Sequence, residues 1–373
     1  MVNVMQTLVG AEFPLFAFSH CRDVVVAVSR AGGFGVLGGS SFTPETLEEE
    51  LRWIDAHIDG KPYGVDILIP ENLPISAGAS AADIVGQIPP AHIAFAERLL
   101  GEAGIGGDRE PLVQARLPSV SSAMGEALLD VAFRHPIRLI VNALGIAPES
   151  MIRRAREAGV PVGALVGAKE HAVRQAKAGV DVIIAQGTEA GGHCGEVSTL
   201  VLLPEVIRAV RAHGAPPVLA AGGIMTGAQM AACVAMGAAG AWTGSVWLAT
   251  PEAETSEAFR EKMIAATSRD TVRSTFRTGK PCRQLGSAWF DAWHGPDSPG
   301  RLGMPFMGMI STPAFGRIEV AAGRGNEAAR DLLSYFVGQG VGLIDQVRPA
   351  GAVVQDFKED YLEAMARLQD SVG

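Results

Sequence analysis

Val180-Asp181-Val182-Ile183-Ile184-Ala185-Gln186-Gly187-Thr188-Glu189-Ala190-Gly191-Gly192-His193-Cys194-Gly195 is the stretch whose reading decides the fold. Its first half is short, apolar and β-branched, the pattern of a strand buried on both faces. The four glycines that follow let the backbone come close to something flat or charged. A single imidazole, His193, stands at the tip. A strand ending in a glycine loop with one titratable side chain marks a candidate active site. The duller alternative is that His193 only satisfies loop backbone.

Outward from this stretch the same rhythm repeats. Upstream, strands at 137–141 and 160–166 alternate with helices at 148–158 and 169–178. Downstream, a helix at 204–212 leads to a strand at 217–221 that ends in Gly222-Gly223-Ile224. A helix at 226–236 then leads to a strand at 239–243 that ends in Gly244-Ser245. Nearer the N-terminus, strands at 13–18, 34–37 and 63–69 are joined by helices at 23–31 and 44–57, with Thr43 as the second helix's N-cap. Eight short apolar strands alternating with helices predict an α/β fold, a (β/α)8 barrel, over residues 1–250. Residues 70–136 break the rhythm and read as an insertion after the third strand, with helices at 92–100 and 121–134 and a strand at 112–117. Residues 251–373 read as a helical extension near the barrel mouth, with helices at 252–266, 326–339 and 355–368. Within it, 275–294 reads as irregular and 296–313 is rich in Pro, Gly and Met.

Bulk composition agrees. The 373 residues are 48% hydrophobic with 45 glycines, ample for a large helix-on-sheet core. A net charge of −9 gives no basic footprint for nucleic acid. No apolar run is long enough to span a bilayer and no secretory leader is visible. Cys21, Cys194, Cys233 and Cys282 are scattered, which points to reduced thiols in a cytoplasmic setting rather than disulfides or a metal site.

In such a barrel the strand C-termini carry the chemistry. Gly222-Gly223 and Thr243-Gly244-Ser245, on successive strands, form a phosphate cradle: glycine N–H groups and a hydroxyl aimed at an anion, with the dipole of the helix from Thr226 behind them. The duller alternative is a pair of tight turns. Gly33-Phe34-Gly35-Val36-Leu37-Gly38 matches G-x-G-x-x-G, but its glycines end a helix and flank a strand instead of joining strand to helix. Cys194 beside His193 is poorly placed for a Cys–His nucleophile, since neighbours in an extended loop point apart. Trp289 and Trp293 read as packing residues.

The glycine–histidine loop with Gly222-Gly223-Ile224 resembles the nitronate monooxygenase family. Ser29-Arg30-Ala31-Gly32-Gly33-Phe34-Gly35, Thr278-Gly279-Lys280-Pro281-Cys282-Arg283 and Gly338-Gln339-Gly340-Val341-Gly342 extend the match across roughly residues 10–345. The resemblance implies a barrel binding FMN without a covalent bond, with its phosphate at Gly222, Gly223, Gly244 and Ser245 beside Thr243. Gln186 and Gly191 would lie near the flavin, and His193 would be the catalytic residue. It implies a small nitronate or nitroalkane substrate with O2, or a quinone or enone with NAD(P)H, since relatives on this scaffold differ in reaction. A phosphate-binding barrel without redox chemistry is the alternative from another class, and a homodimer is among the states open to the chain. Two departures stand out. The first strand ends in Ala17-Phe18-Ser19, which the resemblance places against the flavin, where the family usually has Ala-Pro-Met. Asp66 stands where the family usually offers an Asn toward the flavin, and an ionised carboxylate there would oppose an anionic reduced ring.

Overall fold

The computed structural model describes residues 3–69, 81–106, 111–113 and 121–371. Its strands, in chain order, are β1 (Leu15–Ser19), β2 (Phe34–Gly38), β3 (Tyr63–Asp66), β4 (Leu139–Asn142), β5 (Val162–Val166), β6 (Val182–Gln186), β7 (Gly192–His193), β8 (Val218–Ala221), β9 (Gly240–Thr243), β10 (Thr271–Ser274) and β11 (Cys282–Leu285). Eight of them close a parallel barrel in the order β1-β2-β3-β4-β5-β6-β8-β9, the last pairing back onto β1. These are the eight strands read from the sequence.

Alternation along each strand sorts its side chains between two cores. Phe16, Val36, Val141, Ile184, Leu219 and Trp242 point inward and fill the barrel. Met5 and Val9 of the helix Val4–Val9 join this inner core. Leu15, Ala17, Leu37, Val65, Ile183 and Ala220 point outward, under the surrounding helices. The G-x-G-x-x-G look-alike is explained by this packing. A Cβ on Gly35 would stand 2.4 Å from the Val25 carbonyl oxygen, so glycine lets the helix Arg22–Arg30 lie close on β2.

The insertion and the tail are less regular than the barrel, and they meet. The helix Pro90–Glu102 from the insertion and the helices Ala288–His294 and Phe306–Gly323 from the tail share a second apolar core containing Phe95, Leu99, Trp289, Trp293 and Phe315. Trp289 and Trp293 are almost wholly buried there. The strand expected at 112–117 lies mostly outside the described residues, and Leu112 and Val113 are not in a strand. The helix expected over 326–339 stops at Leu332. From there the chain runs beside β11, with the Leu285 N–H donating to the Tyr335 carbonyl. The stretch expected to be irregular, 275–294, holds β11 and the helix Ala288–His294, and the Pro-, Gly- and Met-rich stretch 296–313 leads into the helix Phe306–Gly323, which passes through Pro313. The helix Ala350–Asp370 packs on the barrel wall between the helices Gly227–Ala235 and Arg22–Arg30. Its Lys358 donates to the Ala31 carbonyl (2.7 Å), and its Val354 and Phe357 enter the outer core. No described helix is long and apolar enough to cross a membrane.

Candidate active site

A cavity of about 670 Å³ opens at the C-terminal ends of the barrel strands. Phe18, Ser19, Asp66, Gln186, Gly191, His193, Gly222, Gly223, Thr243, Gly244 and Ser245 all line it. Ala17 does not. Strand alternation turns it outward into the helix-facing core, wholly buried, while Phe16 and Phe18 on either side point inward.

The cradle is built from loop backbone. Gly222 (φ +105°) and Gly223 (φ +72°) both sit in the left-handed region. A Cβ at 222 would come within 2.8 Å of Thr199 Oγ1 and 3.1 Å of the Gly187 carbonyl oxygen. Among the described residues, the N–H groups of Gly223, Gly244 and Ser245 donate to no backbone carbonyl, which leaves them for an anion. Ser245 Oγ accepts from the Gly338 N–H (2.9 Å), so its own proton is free to donate. The dipole expected behind the cradle is already answered. Thr226 and Gln229 form a capping box at the start of the helix Gly227–Ala235, and the Asp360 carboxylate accepts from Ala228 N–H (2.7 Å). The 3₁₀ turn Ser245–Ala249, opening at Gly244, is the helical end that faces the cradle.

His193 is held by a sheet that the sequence did not reveal. β7 pairs antiparallel with β11, Cys282 opposite His193, and β11 pairs in turn with β10. Gly191 fits closely against Val337 and Gly338: a Cβ there would lie 2.9 Å from the Gly338 nitrogen. His193 Nε2 lies 2.8 Å from Thr278 Oγ1, which is itself 3.1 Å from the Lys280 carbonyl. With the Thr278 proton given to that carbonyl, Nε2 carries the ring proton and Nδ1 keeps the lone pair. Burial, aided by the nearby Lys280 ammonium, lowers the imidazole pKa to about 4. The ring is therefore neutral at physiological pH. Burial pushes the adjacent Cys194 thiol up, away from thiolate character.

Asp66 is only 4% exposed and ends β3 on the cavity wall. Burial raises its pKa to about 8, so the acid is neutral near pH 7 rather than the ionised carboxylate considered from the sequence. Thr243 is committed elsewhere: its hydroxyl donates to the Phe16 carbonyl (3.0 Å) and accepts from Trp247 Nε1 (3.0 Å). Trp242 stacks on Phe18 with centroids 6.1 Å apart at the cavity floor.

Two cavity residues escaped the sequence reading. His20, in the loop after β1, has Nδ1 3.0 Å from the Gly38 carbonyl, and the rule that strand C-termini carry the chemistry could have found it. Arg277 lies within an aromatic box, 4.0 Å from the Phe315 ring and 4.6 Å from Phe336, and donates to the Ser334 carbonyl. Burial lowers its pKa to about 10, which leaves it charged at neutral pH. Nothing local in the sequence marks it as a cavity residue. Gln186 and His193 also border a side pocket of about 360 Å³ that carries Arg174 and Lys280.

The model of the nitronate monooxygenase family matches residues 17–360. The chain belongs to that family. A Mycobacterium tuberculosis protein whose name calls it a monooxygenase is 52% identical over 373 residues, covering 98% of each chain. The crystal structure of a nitroalkane oxidase from Streptomyces ansochromogenes superposes with a TM-score of 0.77 at 26% identity, covering 98% of this chain and 99% of that one. The structure of FabK from Thermotoga maritima gives 0.71 at 25% identity, covering 100% and 99%. The protein is thus a flavin-dependent oxidoreductase on a (β/α)8 barrel, acting on a small molecule.

Proposed function

We propose that the protein binds FMN and oxidises small nitronates with O2, as a nitronate monooxygenase. The observation that carries this is the pairing of a backbone anion cradle at 222–223 and 244–245 with a neutral imidazole on the same cavity. The residues present suit FMN. Free N–H groups and the Ser245 hydroxyl would hold its phosphate, and the strand ends from Phe18 to Gln186 leave room for its ring. Bound FMN would supply the redox chemistry, accepting electrons from the substrate and passing them to oxygen. His193 Nδ1, with its lone pair free, would take the α-proton of a neutral nitroalkane. Toward a preformed nitronate the ring would orient the anion instead. Arg277 in the cavity, with Lys280 and Arg174 in the side pocket, provides positive charge suited to an anionic substrate. Phe259, Phe315 and Phe336 wall off water from the apolar part of the cavity.

Those rings also favour one other reading: a flat quinone or enone clamped above the flavin and reduced by NAD(P)H. The experiment separates the two. The purified protein, supplied with FMN, is mixed with ethyl nitronate in air, and separately with NADH without oxygen. Oxygen consumption with nitrite release, and a flavin that NADH leaves oxidised, is the expected result. Rapid bleaching by NADH without nitronate turnover would overturn it, and a colourless protein that takes up no FMN would overturn both readings.

A further inference from the structure

Strand order puts Asp66 and the cradle on opposite walls. In the closed barrel β3 stands four strands from β8 in either direction, so Asp66 faces Gly222–Gly223 across the mouth. A ligand gripped by its phosphate at the cradle and reaching across the mouth therefore brings its far end to Asp66. The carboxyl there is 4% exposed and lines the cavity, yet makes no hydrogen bond and no ion pair among the described residues. Such a group costs free energy unless a ligand satisfies it.

We propose that Asp66 binds the flavin ring as a neutral carboxylic acid, giving an O–H to one ring heteroatom and accepting from a neighbouring N–H. This rests on the FMN reading above. A carboxylic acid presents donor and acceptor side by side, the pattern that an imide edge of an isoalloxazine complements. A carboxylate has only acceptors, so ionisation removes the donor and places a charge against the ring's carbonyl oxygens. The loss of FMN affinity above neutral pH is therefore set by the ionisation of this acid. Other titratable groups on this side of the cavity are His20 and Cys21, from the loop after β1. The flanking strands β2 and β4 bring Gly38, Ser40, Asn142 and Ala143, none of which titrates.

The test measures the FMN dissociation constant of the flavin-stripped full chain by flavin fluorescence from pH 7 to pH 9.5, for wild type, Asp66→Asn and Asp66→Ala. The amide keeps donor and acceptor but cannot ionise. Wild-type affinity should weaken about 10-fold or more over this range, while Asp66→Asn stays within about 3-fold. Asp66→Ala should bind more weakly than Asp66→Asn at pH 7. The asparagine variant serves as internal control for titration of His20, Cys21 and the flavin itself. Equal pH dependence in wild type and Asp66→Asn would overturn the proposal, as would a pH-independent wild type. Absence of FMN binding at pH 7 by all three proteins would overturn the FMN reading itself, a different and separable result.

Discussion

Replacing Asp66 by asparagine should stabilise the flavin-free protein by an amount that grows with pH. In the unfolded chain this carboxyl ionises near 3.8, and in the folded chain burial moves that to about 8. Between those values the folded protein holds a proton that the unfolded chain has released. Stability contributed by this site therefore falls as pH rises, by about 1.4 kcal/mol per pH unit, and levels off above the folded value. From pH 5 to pH 7 the loss is about 2.7 kcal/mol in wild type and absent in Asp66→Asn. The assay is urea unfolding of both flavin-free proteins at the two pH values, with tryptophan fluorescence and far-UV circular dichroism recorded together so that two-state fits are used only where the transitions coincide. All other titrating groups cancel in the difference between the two proteins. Free-energy curves that stay parallel to within about 0.5 kcal/mol would refute the assignment of a buried, unpaired acid.

The catalytic site offers three further checks. His193→Asn should lower nitronate turnover about 100-fold or more and leave FMN bound, so full activity would remove His193 from the chemistry. Because the imidazole pKa is lowered to about 4, the acid limb of kcat/KM for a neutral nitroalkane should lie well below 6.5. Lys280→Met should move that limb upward without reaching 6.5, since burial, the larger cause, remains. Gly222→Ala strains a left-handed residue and drives a methyl toward Thr199, and should weaken FMN binding at least about 10-fold as measured by flavin fluorescence. Gly35→Ala, under the helices and tight against Val25 rather than on the cavity wall, should instead lower stability by about 3 kcal/mol in urea and leave FMN affinity intact.

How legible the molecule was depended on the range of the interactions. Barrel strands announce themselves locally, through short β-branched runs such as 182–186 flanked by glycine turns, and all eight could be read in order. The residues at their C-terminal ends gathered on one cavity because topology places strand ends together. Ala17 faces the helices while Phe16 and Phe18 face inward, because a motif gives a residue's position along the strand but not the face it turns to. The sheet that holds His193 was invisible. Gly192–His193 is too short to show any alternation, and its partner Cys282–Leu285 is far along the chain. Arg277 and the aromatic box around it come together only through the tail's tertiary packing, and no local pattern encodes that.

The placement of the helix Ala350–Asp370 changes what a truncation of this protein would mean. Thr243 ends the last barrel strand, but the element that shields the wall beside it is drawn from beyond Pro349, after the whole excursion that roofs the cavity. Excising residues 350–370 would strip Phe357 from Trp247 and Val354 from the outer core, and take Asp360 away from the helix start at Ala228, next to the cradle. Shortened versions made to isolate the barrel should therefore retain this segment, because the cylinder is sealed by residues that a linear map would discard first.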